Sequence, residues 1–565
     1  MNYTDIQISR EEAAQILEDI YGLKARVKEL PGEIDFNFYC VTAEDEKLVL
    51  KVSRPEEQEQ FLDFQKCITE HLADNAALNT SRIVRSLDGS LLPVYMDRQG
   101  MQRKVRVLSW IPGRLWSAVN PHNNKLRKSL GQQAGQLTAA LMGFEHAYAS
   151  RKLDWDIAQG LWVKDFLHLF SDEEKEILQV FIQEFETGLE SYNTLRKSVV
   201  HNDVNDNNII VTEDLLAPEV RAIIDYGDAV LTQSINDLAI TCAYAAMGHE
   251  DPLDAVLPVV KGYHQFFQLE EKELEHLYTC IAMRLVISVC KSAINKDKEP
   301  ENTYLLISEK PAWSLLKKWV DISQDFAHYA FRFACGYTAH PDEDSFKDWA
   351  SNQELDLADL FPTVGRSKVQ LLDLSVSSTW VGHRNDFNDL DLFQFKLDQL
   401  QKEHPDCILA GGYMEPRALY TATSYDKIGN YGRQSRAVHL GVDFWLAAGT
   451  PVHALYGGEV VVAANDTGDK NYGGLVILKH EEDGCLFYSL YGHNELDSVL
   501  KHKIGDYIKK GAEICRLGDR NENGNWAPHL HFQLMLDLLD FKDDFPGVAY
   551  PNEKEIWRSF CPDPN

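Results

Sequence analysis

The chain has 565 residues, long enough for two or three domains with full cores. Its 44% hydrophobic and 25% charged residues are ordinary globular values, which exclude a disordered or fibrous class. With 87 acidic against 56 basic residues the net charge is −31, and no run of Lys or Arg interrupts it. Nucleic acid and anionic membrane surfaces are therefore not expected as partners, whereas small cationic or zwitterionic molecules suit such a field.

Taken in order, MNYTDIQISREEAAQILEDIYGL predicts an amphipathic helix behind a Ser9 cap with Glu12 three residues on. No apolar signal core precedes it, so export is not expected. Residues 25–54 alternate as strands around an acidic turn at Glu44-Asp45-Glu46. Lys51 emerges from the apolar strand Leu48–Val52, which is costly unless its ammonium finds a partner; nucleotide phosphates would supply one. The plain alternative is a lysine on the solvent face of an edge strand. In the next helix Phe61, Phe64, Ile68 and Leu72 keep a helical period, and its phase turns Gln65 inward toward Lys51, with Glu59 as the alternative. Val105–Gly113 reads as a strand running into an extended hinge, since Pro112 biases Ile111 away from helix. From about 125 to 340 the pattern is largely helical. Leu277 to Cys290 is the longest apolar run and carries Arg284 inside it; it falls short of the roughly 18–20 residues of a membrane span, and no membrane partner is expected.

Within this helical half lies HNDVNDNNIIV, residues 201–211, followed by the strand Ala222-Ile223-Ile224 and Asp225. A β-hairpin with Asp and Asn in its turns would account for the composition. The offsets point further: Asp203 two residues after His201, Asn208 against a strand start, and Asp225 followed by Tyr226-Gly227. Phosphoryl transfer needs a base that orients the attacking hydroxyl, for which Asp203 fits, and ligands for magnesium, for which Asn208 and Asp225 fit. The segment resembles the catalytic loop of the aminoglycoside phosphotransferase and choline kinase group, with Asn202 where glycine is usual and Tyr226 where Phe is usual. The resemblance implies an α+β, protein-kinase-like bilobal domain that uses ATP and Mg²⁺, with Lys51 and Gln65 near the nucleotide. It also implies that Asp237 braces the catalytic loop, although a simple helix cap is an equal reading. No glycine-rich loop stands where phosphates would be covered. The segments VLKV and WIPGRLW are most similar to hydroxylysine kinase and related amino-alcohol kinases, which implies a small amino alcohol or hydroxy amino acid as acceptor.

From Gly411 onward glycines are spaced like turns in an all-β domain. His439 and Asp443 stand four apart, His493 follows Tyr491-Gly492, and His529 and His531 alternate onto one face of a strand. A lone His-x-His is more often a strand face than a metal site. A hydrolytic zinc takes three His or carboxylate ligands and keeps a position for water, a set that His439, Asp443 and His531 supply. His493 and His529 then remain to activate water and stabilise the oxyanion. The ensemble resembles the lysostaphin-type zinc endopeptidases and implies a peptide partner; a zinc-bound, non-hydrolytic binding or scaffolding module is the alternative.

The expected organisation is multi-domain: a kinase-like domain at 1–345, a connector at 346–400 and the all-β metallopeptidase-like domain at 401–565. This order resembles the front part of bacterial fusions that continue into a class III aminotransferase. No Schiff-base lysine motif leads us to expect pyridoxal phosphate. Ten scattered cysteines without a Cys-x-x-Cys pair read as reduced thiols and, with the missing signal core, as a cytoplasmic chain.

Overall fold

A computed structural model describes residues 7–32, 35–75, 78–298, 309–420 and 422–564. The chain divides into two compact units, residues 1–324 and 325–565, so the division falls ahead of the expected 345/346 boundary.

The first unit opens with the helix Arg10–Tyr21, where Ser9 Oγ accepts the Glu12 N–H at 3.1 Å and Gly22, in a left-handed conformation, ends the helix. Glu12 does not complete a capping box; its carboxylate accepts from the Tyr95 hydroxyl. An antiparallel sheet follows in the order Ala25–Leu30, Phe36–Thr42, Lys47–Val52, Gln102–Ser109, Ile83–Val84, with Val94–Met96 also paired to Gln102–Ser109. Phe38, Cys40, Leu48, Leu50, Val52, Val105 and Val107 fill its core against the first helix. The helix Glu59–Ala73 buries Phe61, Phe64, Gln65, Ile68 and Leu72, the face its periodicity predicts. Beyond the hinge, the hairpin Ile209–Val211 and Val220–Ile223 lies among helices, of which Ile235–Ala246 is buried along its whole length.

The helix Glu271–Lys298 is the one feature that composition underrated. It is long and apolar enough to cross a membrane, but 83% of its most apolar window is buried inside the fold.

The second unit is built on an eight-stranded sheet in the order Lys368–Leu371, Cys407–Gly411, Val442–Trp445, Leu530–Met535, Cys485–Asn494, Gly473–Glu482, Gly458–Asp466, Tyr507–Ile508. The first pair is parallel and the others antiparallel. Residues 346–400, expected as a connector that pairs with the next domain, do pair with it: Lys368–Leu371 joins the sheet beside Cys407–Gly411. Leu372, Leu374, Val381, Phe387, Phe393 and Leu397 bury themselves with Leu409, Trp445 and Trp526, because the apolar stripe of the helix Leu390–Glu403 needs a partner surface.

Candidate active sites

The catalytic-loop residues of the first unit come together in a pocket of about 490 Å³ lined by Lys51, Arg106, Asp203, Asn208, Asp225 and Asp228 among others. The loop owes its shape to buried hydrogen bonds. His201 Nε2–H donates to Ile224 O at 2.9 Å, and Asp237 Oδ1 accepts the Asn202 N–H at 3.0 Å while its Oδ2 accepts from Thr138 Oγ1. Asp237 therefore braces the loop; its side chain makes no cap bond at the start of its helix. Asn202 sits at φ 64, the conformation in which glycine is free and asparagine is tolerated, which explains the departure noted in the sequence.

Asp203 is gripped on both oxygens. Oδ2 accepts from Asn205 Nδ2 at 2.8 Å and Asn208 Nδ2 at 2.9 Å, and Oδ1 accepts from Arg284 Nη2 at 2.8 Å. Burial pushes its carboxyl up to about 7 despite the arginine, placing a base near neutral pH. Asn208 Nδ2 donates to Asp203 O and Oδ2, which among the described residues leaves its amide oxygen for a cation. Asp225 Oδ2 pairs with Lys51 Nζ at 3.0 Å, and that ammonium holds the carboxyl down at about 2. A permanently ionised carboxylate beside a free amide oxygen suits magnesium.

The expected Lys51 to Gln65 contact is not formed. Gln65 Oε1 accepts from Arg106 Nη2 at 2.9 Å, and Glu59 pairs with Lys104. Lys51 and Arg106 lie directly opposite on adjacent strands, so two cations share one face, and Asp35 bridges them at 4.0 Å and 2.7 Å. Helix phase alone turned Gln65 to the right side, but the arginine on the neighbouring strand claimed it. Arg106, Asp35 and Arg284 went unassigned; the charge inside the apolar 277–290 run was the available signal for Arg284.

In the second unit, sheet register delivers the metal candidates. Asp443 lies directly opposite His531 across the pair Val442–Trp445 and Leu530–Met535. His439 Nε2 is 2.9 Å from His531 Nδ1 and 3.2 Å from Asp443 Oδ1, and His531 Nδ1 is 3.3 Å from the same oxygen. Asp443 Oδ1 is a buried oxygen without a hydrogen-bond partner. The outer nitrogens are all anchored: His439 to Gly412 O, His531 to Gln533 Oε1, His529 to Ala527 O and His493 to Asn523 O, at 2.8–3.0 Å. Each anchor fixes a tautomer whose other nitrogen is a lone pair, as metal ligation and general-base work require. Burial lowers His439 to about 3 and His529 to about 4, and drives His493 down as well, so these rings stay neutral. An unpartnered carboxylate oxygen facing converging lone pairs fits a divalent cation, and His439, Asp443 and His531 would hold it. His529 Nε2 is 3.7 Å from Asp443 Oδ1, and His493 packs on His529 at 4.3 Å between ring centres, along a cavity of about 290 Å³. Arg417, also buried there, escaped the sequence reading.

Among the described residues Asp63, Cys67 and His146 also cluster. His146 Nδ1 accepts the Tyr148 N–H, so its Nε2 carries the proton toward Asp63 Oδ2, and Lys66 also pairs with Asp63. That arrangement offers no imidazole lone pair to a metal.

Comparison with known proteins agrees with this division. Residues 26–273 match the phosphotransferase enzyme family and residues 437–540 match peptidase family M23. The chain joins a phosphotransferase domain to an M23 peptidase domain. Hydroxylysine kinase from Xenopus laevis is 25% identical over 351 residues, covering 58% of this chain and 93% of that protein. Lysostaphin from Staphylococcus staphylolyticus is 38% identical over 131 residues, covering 23% of this chain and a quarter (25%) of that protein. The solved amicoumacin kinase complex with AMP-PNP and Ca²⁺ is 15% identical, with a TM-score of 0.44 over 55% of this chain and 94% of that one. By its sequence matches the phosphotransferase domain is of the small-molecule kinase type, and the M23 domain is lysostaphin-like.

Proposed function

We propose that the first unit transfers a phosphoryl group from Mg·ATP to the hydroxyl of a small amino alcohol or hydroxy amino acid, and that the second is a zinc-dependent endopeptidase. The observation that carries the kinase reading is Asp203, a half-buried carboxylate at about 7 held from both sides beside Asn208 and Asp225. Magnesium, when bound, neutralises phosphate charge. Asp203 orients the acceptor hydroxyl and takes its proton, Asn208 and Asp225 supply oxygen ligands, and Lys51 stands ready for the phosphates. An ammonium on the acceptor is favoured by the hydroxylysine kinase likeness. ADP release with hydroxylysine, ethanolamine, choline, homoserine and aminoglycosides tests the class; activity on neutral sugars alone would refute it.

For the second unit, zinc supplies a Lewis acid and lowers the pKa of its bound water. His493 and His529, neutral and anchored, serve as base and oxyanion partner around His439, Asp443 and His531. Metal analysis of the intact chain, followed by cleavage assays on glycine-rich and peptidoglycan-derived peptides, is the test. Bound zinc without any cleavage would leave the metal and move the domain to a binding role.

A further inference from the structure

Two of the three converging groups in the second unit are held from one short segment, residues 411–417, that precedes the matched region 437–540. Gly411 pairs with Asp443 in sheet register, and Gly412 O accepts the His439 Nδ1–H at 3.0 Å. Arg417 reaches the other ligand: Nη1 donates to Asp443 Oδ2 at 2.6 Å. It is only 4% exposed and is itself anchored, Nε donating to Glu415 Oε2 at 2.6 Å. Glu415 Oε1 in turn accepts the Leu374 N–H at 2.9 Å, and its carbonyl accepts the His439 N–H at 3.0 Å.

The arrangement has a definite electrostatic sense. An arginine beside a carboxylate that is to bind a divalent cation repels that cation unless its charge is matched. Glu415 matches it, so the Arg417, Glu415 and Asp443 group presents one net negative charge to the cation. The guanidinium occupies Oδ2, which leaves Oδ1 alone to face His439 Nε2 and His531 Nδ1. Gly412 is required for this fit: it lies at φ 106, and a Cβ there would fall 1.9 Å from Arg417 Nη2 and 3.0 Å from His439 Nδ1.

We propose that Arg417 is a positioning residue that fixes Asp443 as a one-oxygen metal ligand, so that residues 411–417 are part of the metal centre although they lie outside the M23 match. The inference rests on the zinc reading above. Partners that orient a ligand are worth about 10–100-fold in metal affinity. Arg417 acting only as packing would lower the melting temperature of metal-free and zinc-loaded chains alike and leave affinity unchanged.

The test uses the full-length chain with Arg417→Met, Arg417→Lys and Gly412→Ala. Zinc affinity is measured by competition with a chromophoric chelator, and melting temperature with and without zinc. Arg417→Met is expected to weaken zinc about 10–100-fold, Gly412→Ala to weaken it at least as much by displacing both the guanidinium and the His439 ring, and Arg417→Lys to recover part of the Arg417→Met loss. Should Arg417→Met fail to fold, the other two variants decide. Wild-type affinity in Arg417→Lys and Gly412→Ala overturns the inference. A wild-type chain that takes up no zinc overturns the reading beneath it, and the inference falls with it.

Discussion

Replacing Arg284 by methionine separates the base from its buried cation. In the wild type the Arg284 to Asp203 contact is 2.8 Å, and the carboxyl still stands at about 7 because burial outweighs the attraction. Removing one partner of a buried pair costs about 3–5 kcal/mol if the other stays charged. Asp203 escapes that cost by keeping its proton. At about 1.4 kcal/mol per pKa unit the carboxyl rises by roughly 2–3.5 units. The base works ionised, so activity appears as pH rises through its pKa, and raising that pKa moves the limb to higher pH. Turnover near pH 7 should fall about 100-fold or more and return near pH 9–10. Stability runs the other way: the raised carboxyl gives stability that is complete below the unfolded value near 3.9 and is lost as pH rises through about 7. In the variant that loss extends to higher pH. The assay is ADP release at saturating Mg·ATP and acceptor across this range, with a melting curve at each pH. A limb that stays in place while the plateau drops would refute the reasoning, since Arg284 would then act on something other than the charge of Asp203.

Asp203→Asn should lower kcat by a few orders of magnitude and spare ATP binding, because general-base and orientation effects are worth about 10²–10⁴; retained turnover reassigns the base. Asp225→Ala should abolish magnesium-dependent nucleotide binding, read by titration with and without Mg²⁺. His439→Ala or His531→Ala should lose zinc in metal analysis, whereas His493→Ala should keep it and lose hydrolysis; a metal-free His493→Ala chain would show the histidines wrongly sorted. Asn202→Gly should raise stability by about 1 kcal/mol, because both polar atoms of the buried Asn202 side chain lack partners and its backbone is left-handed. A lower melting temperature would contradict that balance.

The second site was legible because its geometry is local: strand alternation puts His529 and His531 on one face, and His-x-x-x-Asp spans a tight turn between strands. What sequence does not carry is which distant strand lies alongside, and so Asp443 opposite His531 and Arg417 upon Asp443 emerge only with the sheet order. In the kinase unit the loop from His201 to Asp225 was readable from offsets, and the glycine usual at position 202 now has its cause in a positive φ. Gln65 marks the limit. Its helix phase is right, yet its partner depends on the register of Lys47–Val52 against Gln102–Ser109, 41 residues away in sequence. Arg284, 81 residues from Asp203, lies beyond any local rule.

Arg284 also bears on how the chain is made. The helix Glu271–Lys296 has a mean hydropathy of 1.6 in its most apolar window, so as it leaves the ribosome it presents the length and greasiness of a membrane anchor. An arginine at the centre of such a segment raises the cost of insertion by about 2.5–3.5 kcal/mol. The side chain that grips Asp203 in the finished fold thus also raises the cost of the lipid route for the nascent helix.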